Sequence, residues 1–271
     1  MRGQQLADIA ASTPLGAREI GFVPTTADSR RADLFLTKGA LKSVSNATLA
    51  EWRRNGNRLF ADPVDESLAD EIVDAVDVVV AASRTAFDNY RERWPTAQIA
   101  IVDHHVDPRV RSVMGSPHPS LDSPRFGYFG ESINTIRSRK IARKVEFVQV
   151  STSHADSAWI KRLPEFNVHY AIRRKRELDQ HKPFLKGFTA AACRSVILIQ
   201  DDQIEAHRWL PEDYPFWLRG PVTEPAILDA IENIQSSYAS ESWILALQAM
   251  RAVEERTSPR AIGAQLVTLF S

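Results

Sequence analysis

The stretch Ser195-Val196-Ile197-Leu198-Ile199-Gln200-Asp201-Asp202 decides how the rest of the chain is read. Four consecutive apolar residues, three of them β-branched, fit a strand covered on both faces, as in a parallel sheet flanked by helices. The two aspartates mark the carboxyl end of that strand, which is where open α/β sheets bind ligands. Working outward, similar runs occupy residues 125–130, 145–150, 167–173 and 214–218. An earlier set falls at 20–24, 33–38, 58–62, 78–83 and 98–104.

Helical patterns separate these runs. Asp65 is expected to cap a helix with Leu68, Ile72, Val73 and Val76 on one face, and Asn46 and Gly56 bracket another around Leu49 and Trp52. Ser83 is expected to cap a third, which buries Ala86, Phe87, Tyr90 and Trp94 and closes at Pro95. Strand–helix alternation predicts an α/β fold with parallel sheets and right-handed crossovers. The turn-rich stretch 108–124 breaks the alternation, which restarts at once after it. The chain therefore divides into two Rossmann-like halves, 1–115 and 116–271. The second ends in helices started by Thr223 with Pro225 and by Ser258 with Pro259.

With 271 residues and 44% hydrophobic side chains, the chain can bury a core without covalent staples. Its 34 basic and 34 acidic residues balance, so no global field attracts nucleic acid or an anionic membrane. The single cysteine, Cys193, excludes an intrachain disulfide and sits in a small-residue run suited to a packed helix face. No apolar segment is long enough to span a membrane, and the N-terminus lacks a signal-peptide core, so the cytoplasm is the expected location.

The strand-end rule selects four candidate loops. Gly130 is followed by Glu131 and Asn134 in a turn that lets backbone approach a ligand, though the same residues fit an ordinary tight turn. Tyr170 and Arg173 end another strand, and Lys182-Pro183 with Lys186 and Thr189 follows at an expected helix start, a natural phosphate site. A solvated basic surface explains those charges equally simply. Asp202 and Glu205 could accept hydrogen bonds from sugar hydroxyls, or Asp201 or Asp202 could merely cap the next helix. His104, His105 and Asp107 close the last strand of the first half, where a general base or a turn is possible.

In this order, the landmarks resemble the GT-B glycosyltransferases. Residues 101–108, Ile-Val-Asp-His-His-Val-Asp-Pro, look like the family's interdomain junction, and the strand reaching Ser83 is similar to the one before it. Residues 126–135 resemble the strand and glycine turn that open the second domain. Lys182-Pro183-x-x-Lys186, the small-residue helix and Val196–Ile199 together resemble the donor-binding stretch. The resemblance implies sugar transfer from a nucleotide-sugar donor to a glycan or small-molecule acceptor, as in surface polysaccharide or glycoconjugate synthesis. It implies no cofactor and no metal. Donor-binding roles would fall to Gly130, Glu131, Asn134, Tyr170, Arg173, Lys182, Lys186, Thr189, Asp202 and Glu205, and the base to His105, His104 or Asp107.

The sequence departs from the family pattern in three places. No Glu-x7-Glu pair occurs in residues 175–205, which favours an inverting outcome, and Arg194 stands where glycine is common. The family's first strand and glycine-rich loop do not precede the helix resembled by residues 3–11, which implies a reduced acceptor side. Two other readings use the same residues. Asp103-His104-His105 matches the motif of the manganese-binding DHH phosphoesterases, without that family's other motifs. A non-catalytic binding protein on the same architecture is the other.

Overall fold

The computed structural model describes residues 2–14, 20–23, 29–114, 121–150, 158–174 and 181–271. The chain forms two compact units, Met1–His105 with Glu177–Pro183 and Thr257–Ser271, and Val106–Arg176 with Phe184–Arg256. The division expected near residue 115 falls instead between His105 and Val106, and the chain returns twice to the first unit. The turn-rich stretch chosen as a linker begins with a helix, Pro108–Met114, whose Val110 and Met114 are buried in the second unit's core. Residues 115–120 lie outside the described residues.

The first unit runs α1 (Arg2–Ala11), β1 (Asp33–Thr37), α2 (Lys38–Leu41), α3 (Asn46–Arg54), β2 (Arg58–Asp62), α4 (Asp70–Ala75), β3 (Val78–Ala81), α5 (Arg84–Arg93) and β4 (Ile99–Ile101). Its four strands pair in parallel in the order β1-β2-β3-β4. β3 shows why the continuous runs were legible: Val78, Val79, Val80 and Ala81 are all at most 2% exposed, so both faces are covered. Leu59, Val79 and Tyr90 help fill one core, and Phe60, Val80 and Leu266 help fill a second.

The second unit contains α6 (Pro108–Met114), β5 (Phe126–Gly130), β6 (Val145–Gln149), α7 (Ala158–Arg162), β7 (Val168–Tyr170), α8 (Leu185–Ala192), β8 (Val196–Gln200), α9 (Ile204–His207), β9 (Trp217–Leu218), α10 (Glu224–Ser236) and α11 (Glu241–Arg256). The sheet order is β6-β5-β7-β8-β9, with parallel pairing throughout. The order reverses beside β5, the switch point at which such sheets bind ligands. Ile227, Ile231 and Ile234 of α10 are at most 1% exposed. Each contributes roughly 1.5–3 kcal/mol by burial. The last helix, α12 (Pro259–Phe270), belongs to the first unit, where Ile262 and Leu266 join its core.

Several local expectations change. Residues 20–23 are irregular rather than a strand, and Pro24 lies outside the described residues. Asp65 does not cap a helix: its carboxylate accepts from Lys38 Nζ at 2.7 Å, and α4 starts five residues later, after Ala69. Ser45, not Asn46, caps α3 by accepting from the Thr48 N–H. The other serine and threonine caps hold: Ser83, Thr223 and Ser258 each accept a first-turn N–H. No helix among the described residues is long and apolar enough to cross a membrane.

Candidate functional site

β5 ends in Phe126-Gly127-Tyr128-Phe129-Gly130, and its carboxyl end carries a compact arrangement of the second unit. Lys186, in the first turn of α8, donates from Nζ to the Phe129 carbonyl at 2.6 Å. The same ammonium lies 4.0 Å from the centroid of the Tyr128 ring, a cation–π contact. Tyr128 is buried, and its hydroxyl donates to the Glu131 carbonyl at 2.8 Å. A carbonyl, a ring and a rigid strand thus fix a positive charge at the strand end.

Gly130 makes this approach possible. Its φ of +155° suits glycine, and a Cβ there would stand 2.8 Å from the Tyr128 hydroxyl and 3.1 Å from Lys186 Nζ. Any side chain at residue 130 would therefore press on the two groups that define the strand end. The loop continues with Asn134 Nδ2 donating to Glu131 Oε2 at 3.0 Å. Asn134 also reaches the end of β7, because its carbonyl accepts from the Arg174 N–H at 3.3 Å. Thr135 forms an isolated antiparallel bridge with Arg173, and Gln200 clamps the Arg173 backbone, accepting from its N–H at 2.8 Å and donating to its carbonyl at 3.2 Å.

The expected donor residues therefore separate into groups. Gly130, Glu131, Asn134 and Lys186 come together, and the Arg173 backbone adjoins them. Tyr170 does not face a ligand: it is 1% exposed and its hydroxyl donates to the Ile136 carbonyl at 2.8 Å. Burial raises its pKa well above the usual phenol value. It points into the core because β7 alternates faces and Tyr170 takes the side packed against Tyr128 and Phe147. Glu205 is likewise buried and accepts from Trp209 Nε1 at 2.9 Å, an internal packing bond. Asp202 is exposed, and neither it nor Asp201 caps α9, whose first turn follows Gln203.

Lys182-Pro183 does not open a helix. α8 begins at Leu185 after Phe184, whose backbone is non-helical and whose ring lies over Gly187, only 2.0 Å from where a Cβ would sit. Lys182 belongs to the stretch that returns to the first unit, whereas Lys186 belongs to the second. Thr189 spends its hydroxyl on the Leu185 carbonyl at 3.0 Å, one turn back. Cys193 is fully buried, and burial raises its thiol pKa, so it is a packing residue.

His169, within the second candidate loop, has no role that its sequence context assigns. It is 4% exposed, lies 5.2 Å from the Phe129 ring, and its Nε2 finds no hydrogen-bond partner among the described residues. Burial, and then the nearby Lys186 charge, hold its pKa at about 3, so it is a neutral imidazole at working pH.

In the first unit the strand ends carry two buried carboxylates, each paired with an arginine. Arg2 donates from Nε to Asp62 Oδ2 at 2.6 Å, and from Nη2 and Nη1 to the carbonyls of Val102 and Asp103 at 2.6 and 3.3 Å. Asp103 Oδ2 accepts from Arg84 at 2.9 Å and from Gln265 of α12 at 2.8 Å, and Oδ1 finds no partner among the described residues.

The three expected bases differ in environment. His104 Nδ1 lies 2.9 Å from both the backbone nitrogen and the carbonyl of His105, and burial, Arg2 and His105 hold its pKa well below the ordinary value. His105 is 2% exposed. Asp107 is engaged by Arg109, with Nη2 to Oδ2 at 2.6 Å and the backbone N–H to Oδ1 at 2.9 Å. Among the described residues no group of three His, Cys, Asp or Glu side chains is placed to hold a metal ion. The manganese-binding reading of Asp103-His104-His105 therefore gains no geometric support.

No family model matches the chain, and no curated protein does. Solved structures do. A glycosyltransferase from Rickettsia africae ESF-5 aligns with a TM-score of 0.60 at 10% identity, over 83% of this chain and 73% of that one. S. aureus TarM, solved with Fondaparinux, alpha-GlcNAc-glycerol and UDP, aligns at 0.57 with 10% identity, over 88% and 55%. The GtfA/B complex aligns at 0.52 with 12% identity, over 83% and 54%. The chain has the fold of these glycosyltransferases. Its two units, each a parallel sheet with helices, have the GT-B fold that the sequence resembles. The chain spans little more than half the length of two of these neighbours.

Proposed function

We propose that the chain is a glycosyltransferase that moves a sugar from a nucleotide-sugar donor to an acceptor hydroxyl, in surface polysaccharide or glycoconjugate synthesis in the cytoplasm. The observation that carries this reading is the Lys186 ammonium fixed on the Phe129 carbonyl beside Gly130, at the switch-point strand end of a Rossmann-like sheet. A positive charge held there suits the phosphates of a leaving nucleotide. The solved TarM complex contains UDP, which makes a uridine nucleotide the first candidate to try.

In the proposed reaction, the acceptor oxygen forms a bond to the anomeric carbon while the bond from that carbon to the donor phosphate breaks. The acceptor proton passes to a general base, for which His104, His105 and Asp107 are the candidates, and the electron pair of the broken bond leaves with the nucleotide. Lys186 and the backbone around Gly130 offset the charge that develops on that nucleotide. Glu131 and Asn134 lie at the same strand end, with Arg173 and Asp202 as further candidate donor contacts in the same unit. No cofactor and no metal enters this scheme, because Lys186 does the work of charge neutralisation.

The test is a thermal-shift panel of nucleoside diphosphates and nucleotide-sugars. At least one should raise the melting temperature, and the response should be lost in Lys186→Ala. Failure of every member to bind would overturn the reading in favour of a non-catalytic protein with this fold.

A further inference from the structure

β1 lies at the edge of the first sheet, and among the described residues its only ladder partner is β2. Beyond that edge runs a cleft of about 780 Å³, within the size range of small-molecule sites. Its floor is the whole of β1, five residues or roughly 16 Å of strand. Leu6 of α1 and Phe270 of α12 wall one side, and Val44 and Trp52 wall the other.

Polarity along this cleft is uneven. Among the described residues, those that line it and carry charge are Arg31, Asp33 and Glu51. They lie towards the amino end of β1, where the Arg31 N–H donates to the carbonyl of Asn55, just past α3. Among the described residues, the carboxyl end, around Gly3 and Thr37, has no charged lining residue. A Cβ at Gly3 would stand 3.0 Å from the Phe22 ring and 3.2 Å from the Thr37 methyl, so the missing side chain sets the width of the throat there. Phe22 and Val23 at the rim remain 48% and 54% exposed, apolar surface that an occupant would cover.

The carboxyl end of a parallel sheet is also its ligand-binding end. The cleft therefore starts where an acceptor held by this unit would present its hydroxyl, and it leads away along the strand. We propose that it holds the apolar chain of an amphiphilic acceptor, whose polar, sugar-accepting head stays at the Thr37 end. This rests on the glycosyl-transfer reading above. An extended peptide could instead add to β1 by backbone pairing. The apolar walls on both sides, and the opening of the cleft at the acceptor end, favour a hydrocarbon chain.

The test uses alkyl glycosides of increasing chain length below their micelle concentrations, with the methyl glycoside as the tail-less control. Affinity should rise by up to about fourfold for each buried methylene and level off once the cleft is full. A brominated chain should quench the fluorescence of Trp52, and the quenched component should disappear in Trp52→Phe. Ala7→Phe and Ala40→Phe, which fill the cleft from opposite walls, should abolish the chain-length dependence while melting as the parent does. If one variant fails to fold, the other and the quenching signal still decide. Affinity independent of chain length, or quenching that survives Trp52→Phe, would overturn the proposal, as would competition by an apolar strand-forming peptide without any effect of alkyl chains. Nucleotide binding in the same samples reads the transfer account separately. Chain-length independence in a protein that binds nucleotide overturns the cleft assignment alone. Chain-length dependence in a protein that binds none keeps the apolar-chain site and overturns transfer.

Discussion

The two units carry the same kind of sheet and finish its carboxyl end in opposite ways. In the first unit the strand ends hold buried carboxylates with fixed partners, Asp62 with Arg2 and Asp103 with Arg84 and Gln265. In the second, a partly buried lysine rests on a backbone carbonyl and an aromatic ring, with a glycine leaving space beside it. Arg2 and Arg84 meet carboxylates, whereas Lys186 rests on a carbonyl and a ring at an end where Gly130 leaves space. The Lys186 end is the one we propose for the donor, and the Arg2–Asp103 network belongs to the packing of the first unit.

The largest expected effect breaks the Arg2–Asp62 pair. Arg2→Met leaves Asp62 buried without its guanidinium and should lower stability by about 3–5 kcal/mol. Chemical denaturation measures it, and a loss below about 1 kcal/mol would show that the first unit does not depend on this pair. Nucleotide affinity should be unchanged in the folded fraction.

A smaller effect is expected at the Lys186 end. Gly130→Ala forces a side chain into a φ of +155° and against Lys186, costing of order 1–3 kcal/mol. Here nucleotide affinity should fall together with stability, in contrast to Arg2→Met. Full affinity in this variant would mean that the ammonium need not sit where it is seen.

A third effect, absent near neutral pH, is a pH dependence. His169 stays neutral in the folded unit down to about pH 3, whereas in the unfolded chain it protonates below about 6.5. Between those values the unfolded state binds the extra proton, so stability is full above pH 6.5 and is lost as the pH falls towards 3. His169→Gln should reduce the acid slope by up to one proton, about 1.4 kcal/mol per pH unit. An unchanged slope between pH 6 and 4 would show that the imidazole is already solvated.

What the sequence made legible follows from which forces are local. Continuous apolar runs such as 78–81 and 196–199 identify doubly covered strands, because both faces must be apolar. Caps such as Ser83 and Thr223 are legible because the serine or threonine bonds its own helix three residues on. The region around Gly130 and Lys186 was found through the strand-end rule. Asp65 failed as a cap because a distant partner, Lys38, claimed its carboxylate. Tyr170 and Glu205 failed as ligand contacts because their direction depends on which face of a strand or helix meets the core. The Arg2–Asp62 pair, sixty residues apart, leaves no local trace at all. The return of α12 to the first unit is equally non-local, since its own pattern shows only that it is amphipathic.

The central claim is that the charge fixed at the end of β5 binds the phosphates of the donor nucleotide. Titration calorimetry with the best nucleotide from the panel, on the parent and on Lys186→Ala, tests it most directly. Loss of a charge-assisted contact of about 1.5–3 kcal/mol predicts a 10- to 150-fold weaker Kd of the folded protein, beside a stability loss of about 0.5–1.5 kcal/mol from the missing Phe129 hydrogen bond. Equal affinity in the two proteins would contradict the assignment of the donor site to the second unit's strand end.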